Sequence, residues 1–253
     1  MKRLIYSSLS IFLIPFLGAC GGKAESEDVR TPGIQAEIEV RTRGNGQSRV
    51  VAVLTVGDGG LFPTMLDLTG DDRMRASDGR TTKTLEKDFD LLGDIQYEAS
   101  FDGDDTGTEF VVMLERSGDT SAPDSRVRLP GPFNLISPAN NASFTLDEQF
   151  DVLWEGDFNS DAMRLITATR CPSVSGGTLL TGDLITVEDN GSYVLTGREA
   201  IGGFEEEAEA GATCEIELTL IRVRSGTLDP NYAEGGYIEG QQIRSVDIRV
   251  INR

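Results

Sequence analysis

Ile34, Ala36, Ile38 and Val40 alternate with Gln35, Glu37, Glu39 and Arg41. A period of two puts the first set on one face of an extended strand and the second on the other. A helix would scatter the same four apolar residues around its circumference. Gly44-Asn45-Gly46 follows as a strong turn, and residues 49–56 make a second strand, so the pair reads as a hairpin. Further short strands are expected over 65–68, 73–76, 81–87, 94–101 and 109–116, most of them separated by Asp-Gly or Gly-Asp pairs. Many short strands with frequent turns are the signature of a sandwich or a partly open barrel.

Residues 117–132 break this rhythm with Gly118, Pro123, Pro130, Gly131 and Pro132. The segment reads as the last edge strand of a first domain running into a linker. A boundary near Pro130 gives two domains of ordinary size, 34–130 and 131–253. In the second, Phe150, Val152 and Trp154 alternate inward. Strands follow at 162–170, ending at Cys171, and at 192–196 after Asp189-Asn190-Gly191. A helical turn is expected within 197–203. Residues 213–224 alternate Ile216, Leu218, Leu220 and Arg222 on the inner face, and 242–251 close the chain. The fold class is therefore all-β, with two sandwich-like domains in tandem.

Leu135-Ile136-Ser137-Pro138, the inward Trp154 and Gly191-Ser192-Tyr193 give the second half its character. It resembles bacterial Ig-like or fibronectin type III-like envelope modules, which implies an Ig-like sandwich. It departs from antibody domains in its cysteines. Cys171 ends one strand and Cys214 begins a later neighbour, whereas the antibody disulfide joins the two sheets.

Lys2 and Arg3 precede a mostly apolar run over 4–16, too short for a comfortable membrane span. Leu17-Gly18-Ala19-Cys20 then resembles the lipobox of bacterial type II signal peptides. The resemblance implies a signal peptide over 1–19 and a lipidated, acylated Cys20 as the mature N-terminus. Gly21, in place of an aspartate, implies the outer membrane. Residues 20–33 have little apolar content and are expected to be a flexible tether between lipid and body. With Cys20 consumed by lipid, export to an oxidising compartment makes a Cys171–Cys214 disulfide the default. Two free thiols or a metal pair are the alternatives, but the chain has no histidine and no Cys-x-x-Cys spacing to complete a zinc site.

Removal of 1–19 takes two cations from the 23 Lys+Arg and none of the 42 Asp+Glu, leaving a net charge of about −21. Nucleic acid, which needs a basic face, is excluded as a partner. The missing histidine also excludes a Ser-His-Asp triad and a Cys-His pair. Carboxylates remain. The densest group, Asp102, Asp104, Asp105 and Glu109, begins like an EF-hand loop, but Met113 stands where a bidentate Glu is required. It reads first as a polar hairpin turn and second as a weak calcium site. Glu205-Glu206-Glu207-Ala208-Glu209 reads as a solvated acidic loop or a docking patch. Trp154 reads as core before ligand platform. No cofactor is expected. The partners expected are the membrane, through lipid, and an envelope protein or glycan. The leading expectation is a non-enzymatic binding or assembly lipoprotein; a carboxylate-dependent carbohydrate-active enzyme and a structural spacer are the alternatives.

Overall fold

The computed structural model describes residues 22–57, 63–90, 93–156 and 161–253. Cys20 and residues 1–19, expected as a signal peptide, lie outside these residues. The chain is all-β. Its first half runs β1 (Lys23–Glu25), β2 (Ile34–Thr42), β3 (Gln47–Val56), β4 (Thr64–Asp67), β5 (Arg73–Ser77), β6 (Thr82–Thr84), β7 (Glu86–Phe89), β8 (Ile95–Asp102), β9 (Glu109–Glu115) and β10 (Ala122–Arg128). Its second half runs β11 (Leu135–Ser137), β12 (Ala142–Thr145), β13 (Gln149–Trp154), β14 (Ala162–Pro172), β15 (Thr178–Val187), β16 (Ser192–Thr196), the one-turn helix α1 (Gly197–Ala200), β17 (Thr213–Ser225) and β18 (Tyr237–Ile251).

Each half forms a sandwich. In the first, β2 turns Ile34, Ala36, Ile38 and Val40 inward against Met74, Ala76, Phe110, Val112 and Leu114 of the four-stranded sheet β10-β9-β5-β6. In the second, which is Ig-like, the sheet β11-β13-β16 brings Phe150, Val152, Trp154 and Leu195 onto Met163, Leu165, Ile216, Leu218 and Leu220. The α1 turn is held by a capping box in which Thr196 and Glu199 satisfy each other's backbone N–H groups.

The two sandwiches share a sheet. β18 is 15 residues long. Its first part pairs parallel with β2, from Tyr237↔Glu37 to Gln242↔Thr42, and its last part pairs parallel with β12. On its other side it pairs antiparallel with β17, from Glu239↔Ser225 to Ile251↔Thr213. The outcome is one 11-stranded sheet running through both halves. The cores consequently do not divide at a single point of the chain. Leu129 ends the first core and Phe133 begins the second, but Leu228, Tyr232 and Ile238 return to the first. A division at Pro130 is legible from local composition; the return is a long-range pairing that composition does not express.

Residues 22–33, expected as a flexible tether, are docked. β1 pairs parallel with β4, and the Met65 N–H donates to the Gly22 carbonyl at 2.9 Å. Beyond β1, Arg116 donates to the carbonyls of Ser26 (2.6 Å) and Val29 (2.9 Å), to Thr31 Oγ1 (3.2 Å) and to Asp72 (2.6 Å). The Thr31 N–H donates to Asp119 at 2.6 Å. Low apolar content pointed to disorder, but main-chain pairing and a buried guanidinium hold the segment instead.

The expected hairpin over 102–109 is also corrected. β8 lies in the large sheet and β9 in the four-stranded one, so this turn carries the chain from one sheet of the sandwich to the other.

Candidate functional site

The linker between the halves is fastened residue by residue. Arg222, placed inward by the β17 alternation, has no exposed surface. It donates to both carboxylate oxygens of Asp189 (2.8 and 3.0 Å), to the carbonyls of Gly131 and Pro132 (2.9 and 3.2 Å), and to that of Glu155 (2.8 Å). These five bonds occupy all five guanidinium donors. Trp154 Nε1 donates to the same Asp189 at 2.8 Å, so the tryptophan is a core residue with a satisfied polar end. Arg224 donates to the Leu129 carbonyl and Gln242 to that of Pro130. Phe133 lies beneath the guanidinium groups of both Arg222 and Arg244, at 5.0 and 5.3 Å from its ring centre.

The fixed junction creates a groove on the outer face of the shared sheet. Its volume is about 760 Å³. Arg41, Arg43 and Arg49 come from the β2–β3 hairpin, and Arg164 from β14; Glu39 and Glu98 are the acids among the lining residues. Ile166, Leu184, Ile221 and Ile243 supply an apolar floor. Pairing explains the floor: Ile221 faces Ile243 across β17–β18, and Ile166 faces Leu184 across β14–β15. Arg164 makes a two-pronged bridge to Glu239 (2.8 and 2.9 Å), and this hydrogen bonding raises its pKa. Arg41 pairs with Glu39, and Arg49 with Glu98. Arg43 is exposed and makes no ion pair among the described residues. The groove thus offers one free guanidinium, and three held in place, above apolar surface.

Cys171 and Cys214 form the expected disulfide, with Cα atoms 4.3 Å apart. It joins the end of β14 to the start of β17, neighbours in one sheet, as the strand positions imply. The candidate calcium ligands are engaged separately. Asp104 accepts the Gly46 N–H at 3.0 Å, Asp105 faces Arg80 at 3.7 Å, and Glu109 meets Arg126 and Arg128 at 3.5 and 3.2 Å. Asp102 ends β8, paired with Gln47 of β3. Among the described residues no three such side chains converge as metal ligands. The run 205–209 is pinned by its backbone. Asn252 donates to the carbonyls of Glu205, Ala208 and Glu209, and Glu205 bridges to Arg198. Glu206, Glu207 and Glu209 remain exposed. The groove itself was not anticipated from sequence. Three of its arginines sit on one hairpin, but Arg164 and the apolar floor lie more than a hundred residues on, and only the β2–β18 pairing brings the hairpin beside them.

No family model matches the chain, and no curated protein matches it. Among solved structures it is similar to the chicken CNTN1 FN1-FN3 domains, at 11% identity over 87% of this chain and 67% of that one, with a TM-score of 0.22. It is also similar to the fibronectin(III)-like modules of Clostridium thermocellum CbhA, at 13% identity over 85% and 93%, TM-score 0.23. A two-domain fibronectin type III segment of chicken tenascin gives 13% identity over 83% and 98%, TM-score 0.19. Superposition at this level carries no argument; the sandwich assignment rests on the sheet order and the two cores.

Proposed function

We propose that the chain is a lipid-anchored envelope protein of the binding or assembly kind, and that the junction groove is its ligand-facing surface. The observation that carries this reading is the groove's chemistry: four arginines over an apolar floor, in a chain with 42 acids against 23 bases. A concave site with an apolar body and a few fixed polar groups is the usual form of a binding site. Guanidinium groups select carboxylate, phosphate or sulfate partners. The ligand class is therefore an anionic group carried next to apolar surface. Anchoring through Cys20 would place that groove at the outer membrane.

The test is site-specific photocrosslinking in cells. A photoreactive residue in place of Arg43 is expected to give a discrete adduct, whereas one in place of Glu217, outside the groove, gives none. Replacing Arg41 and Arg49 with Glu should abolish the adduct. Equal adducts from both positions, or none from either, would overturn the reading.

A further inference from the structure

We propose that two copies of this chain pair edge to edge through β15, antiparallel and centred on Gly182. β15 ends the large sheet and, among the described residues, pairs only with β14. An unpaired edge is a template for another strand, and proteins ordinarily blunt such edges with charge, proline or brevity. Most other edges here are blunted in that way, and β16, uncharged at the edge of the three-stranded sheet, is only five residues long. β6 is three residues long with Lys83 at its centre; β7 carries Glu86, Lys87 and Asp88; β10 carries Pro123, Asp124, Arg126 and Arg128. β15 is ten residues long and Asp183 is its only charge. Leu180 and Leu184, on its outer face, are 69% and 57% exposed.

The occupant is identified by the strand itself. Thr178-Leu179-Leu180-Thr181-Gly182-Asp183-Leu184-Ile185-Thr186 reads nearly the same from either end. In an antiparallel pair, facing residues lie on the same face of the sheet, so only registers that preserve the alternation are open. With Gly182 facing Gly182 of the second copy, Leu180 faces Leu184 twice and Leu179 faces Ile185 twice. Asp183 faces Thr181, and Thr178 faces Thr186. A shift one way sets Asp183 against Asp183. A shift the other way sets Asp183 against Leu179. Like charges directly opposed are unfavourable and apolar cross-strand pairs are favourable, so the Gly182-centred register is selected. The contact is isologous and closes as a two-fold dimer, which blocks further growth at that edge. One strand pair buries less than the ~1,200 Å² of a stable interface, so the dimer is weak and concentration-dependent.

Sedimentation equilibrium of the intact chain tests this in about 0.3 M salt, where long-range repulsion between the acidic copies is screened. Wild type should pass reversibly from monomer to dimer as concentration rises. Leu180→Lys should weaken the dimer about tenfold or more. Thr178 and Thr186 are exposed and face each other only in the proposed register. Thr178→Lys with Thr186→Glu should tighten the dimer severalfold, and Thr178→Glu with Thr186→Glu should loosen it severalfold. Trp154 fluorescence verifies that each variant is folded. A wild type that stays monomeric throughout overturns the proposal. So does a dimer that the two double variants shift in the same direction or leave unchanged.

Discussion

Arg222 and Asp189 form a charged pair with essentially no solvent contact, their side chains 0% and 3% exposed. A pair taken so completely from water adds little net stability, yet removing one partner strands the other. Arg222→Met should accordingly destabilise the protein by about 3–5 kcal/mol. Adding Asp189→Leu should restore part of that loss, because no carboxylate is then left unpaired. Urea denaturation of the two single variants and the double variant checks this; strictly additive losses would refute the coupling. The β17 alternation already placed Arg222 inward, because period two says which face a residue takes. It says nothing of the partner: Asp189 reads locally as part of a turn with Asn190 and Gly191, and only the fold brings it to 2.8 Å from the guanidinium. Cys20 is the opposite case, a residue whose role is proposed from local sequence alone. Cys20→Ala should remain unlipidated and move from the membrane to the soluble fraction on cell fractionation; unchanged membrane partition would refute the anchor.

The N-terminal arm shows how polar contacts can fix an element that hydrophobicity does not mark. Three carboxylates hold it: Asp67 through Lys23, Asp72 through Arg116, and Asp119 through the Thr31 N–H. Burial works to raise the Asp67 and Asp72 pKa values, but their partners prevail and both are lowered from 3.8. For Asp67 these partners are Lys23 and Lys87; for Asp72 they are Ser117, Ser26 and Arg116. Asp119 is lowered mainly by the N–H groups of Thr31 and Thr120. A carboxylate whose folded pKa is depressed contributes its stabilisation fully above the unfolded value and loses it as pH falls through the folded value. Lys23 has the opposite sign: its raised pKa leaves it charged throughout acid, and its contribution is lost only on the alkaline side. The arm should therefore stay docked at neutral pH and loosen below about pH 4, before the cores open. Hydrogen exchange over 22–33, followed against exchange in β9 as the pH falls, reads this directly. Loss of protection in both at the same pH would refute it. Arg116→Ala should produce the same loosening at neutral pH. None of this is visible in a composition of Gly, Ser and charges, because four of the acceptors and donors that hold the arm are main-chain groups.

At the scale of the whole molecule, two cores of separate side chains are tied together by one strand and one linker. β18 supplies Ile238 to the first core and Ile248 and Val250 to the second, while its backbone is hydrogen-bonded to β2, β17 and β12. The linker carbonyls of Leu129, Pro130, Gly131 and Pro132 are bound by Arg224, Gln242 and Arg222, all from β17 and β18. Opening the first core exposes the β2 edge of β18 and frees the linker; opening the second removes β17, against which β18 is aligned. Neither core can come apart without unpairing groups that the other needs, so the energetic coupling between them exceeds that of beads on a string. Equilibrium unfolding in urea should then show one transition despite two cores. Trp154, the only tryptophan, reports the second core, and exchange of the β3 and β9 amides reports the first. The two midpoints should coincide. Cutting the chain at residue 130 should expose the cost of division: the fragment 22–130 keeps β2 but loses its β18 partner and the Leu228, Tyr232 and Ile238 side chains of its core, leaving a long unpaired edge beside exposed apolar surface, and is expected to aggregate rather than fold as a monomer. Separate midpoints in the intact chain, or a soluble monomeric 22–130 fragment with native exchange protection in β2, would show that the shared strand joins the halves in space without coupling their stability.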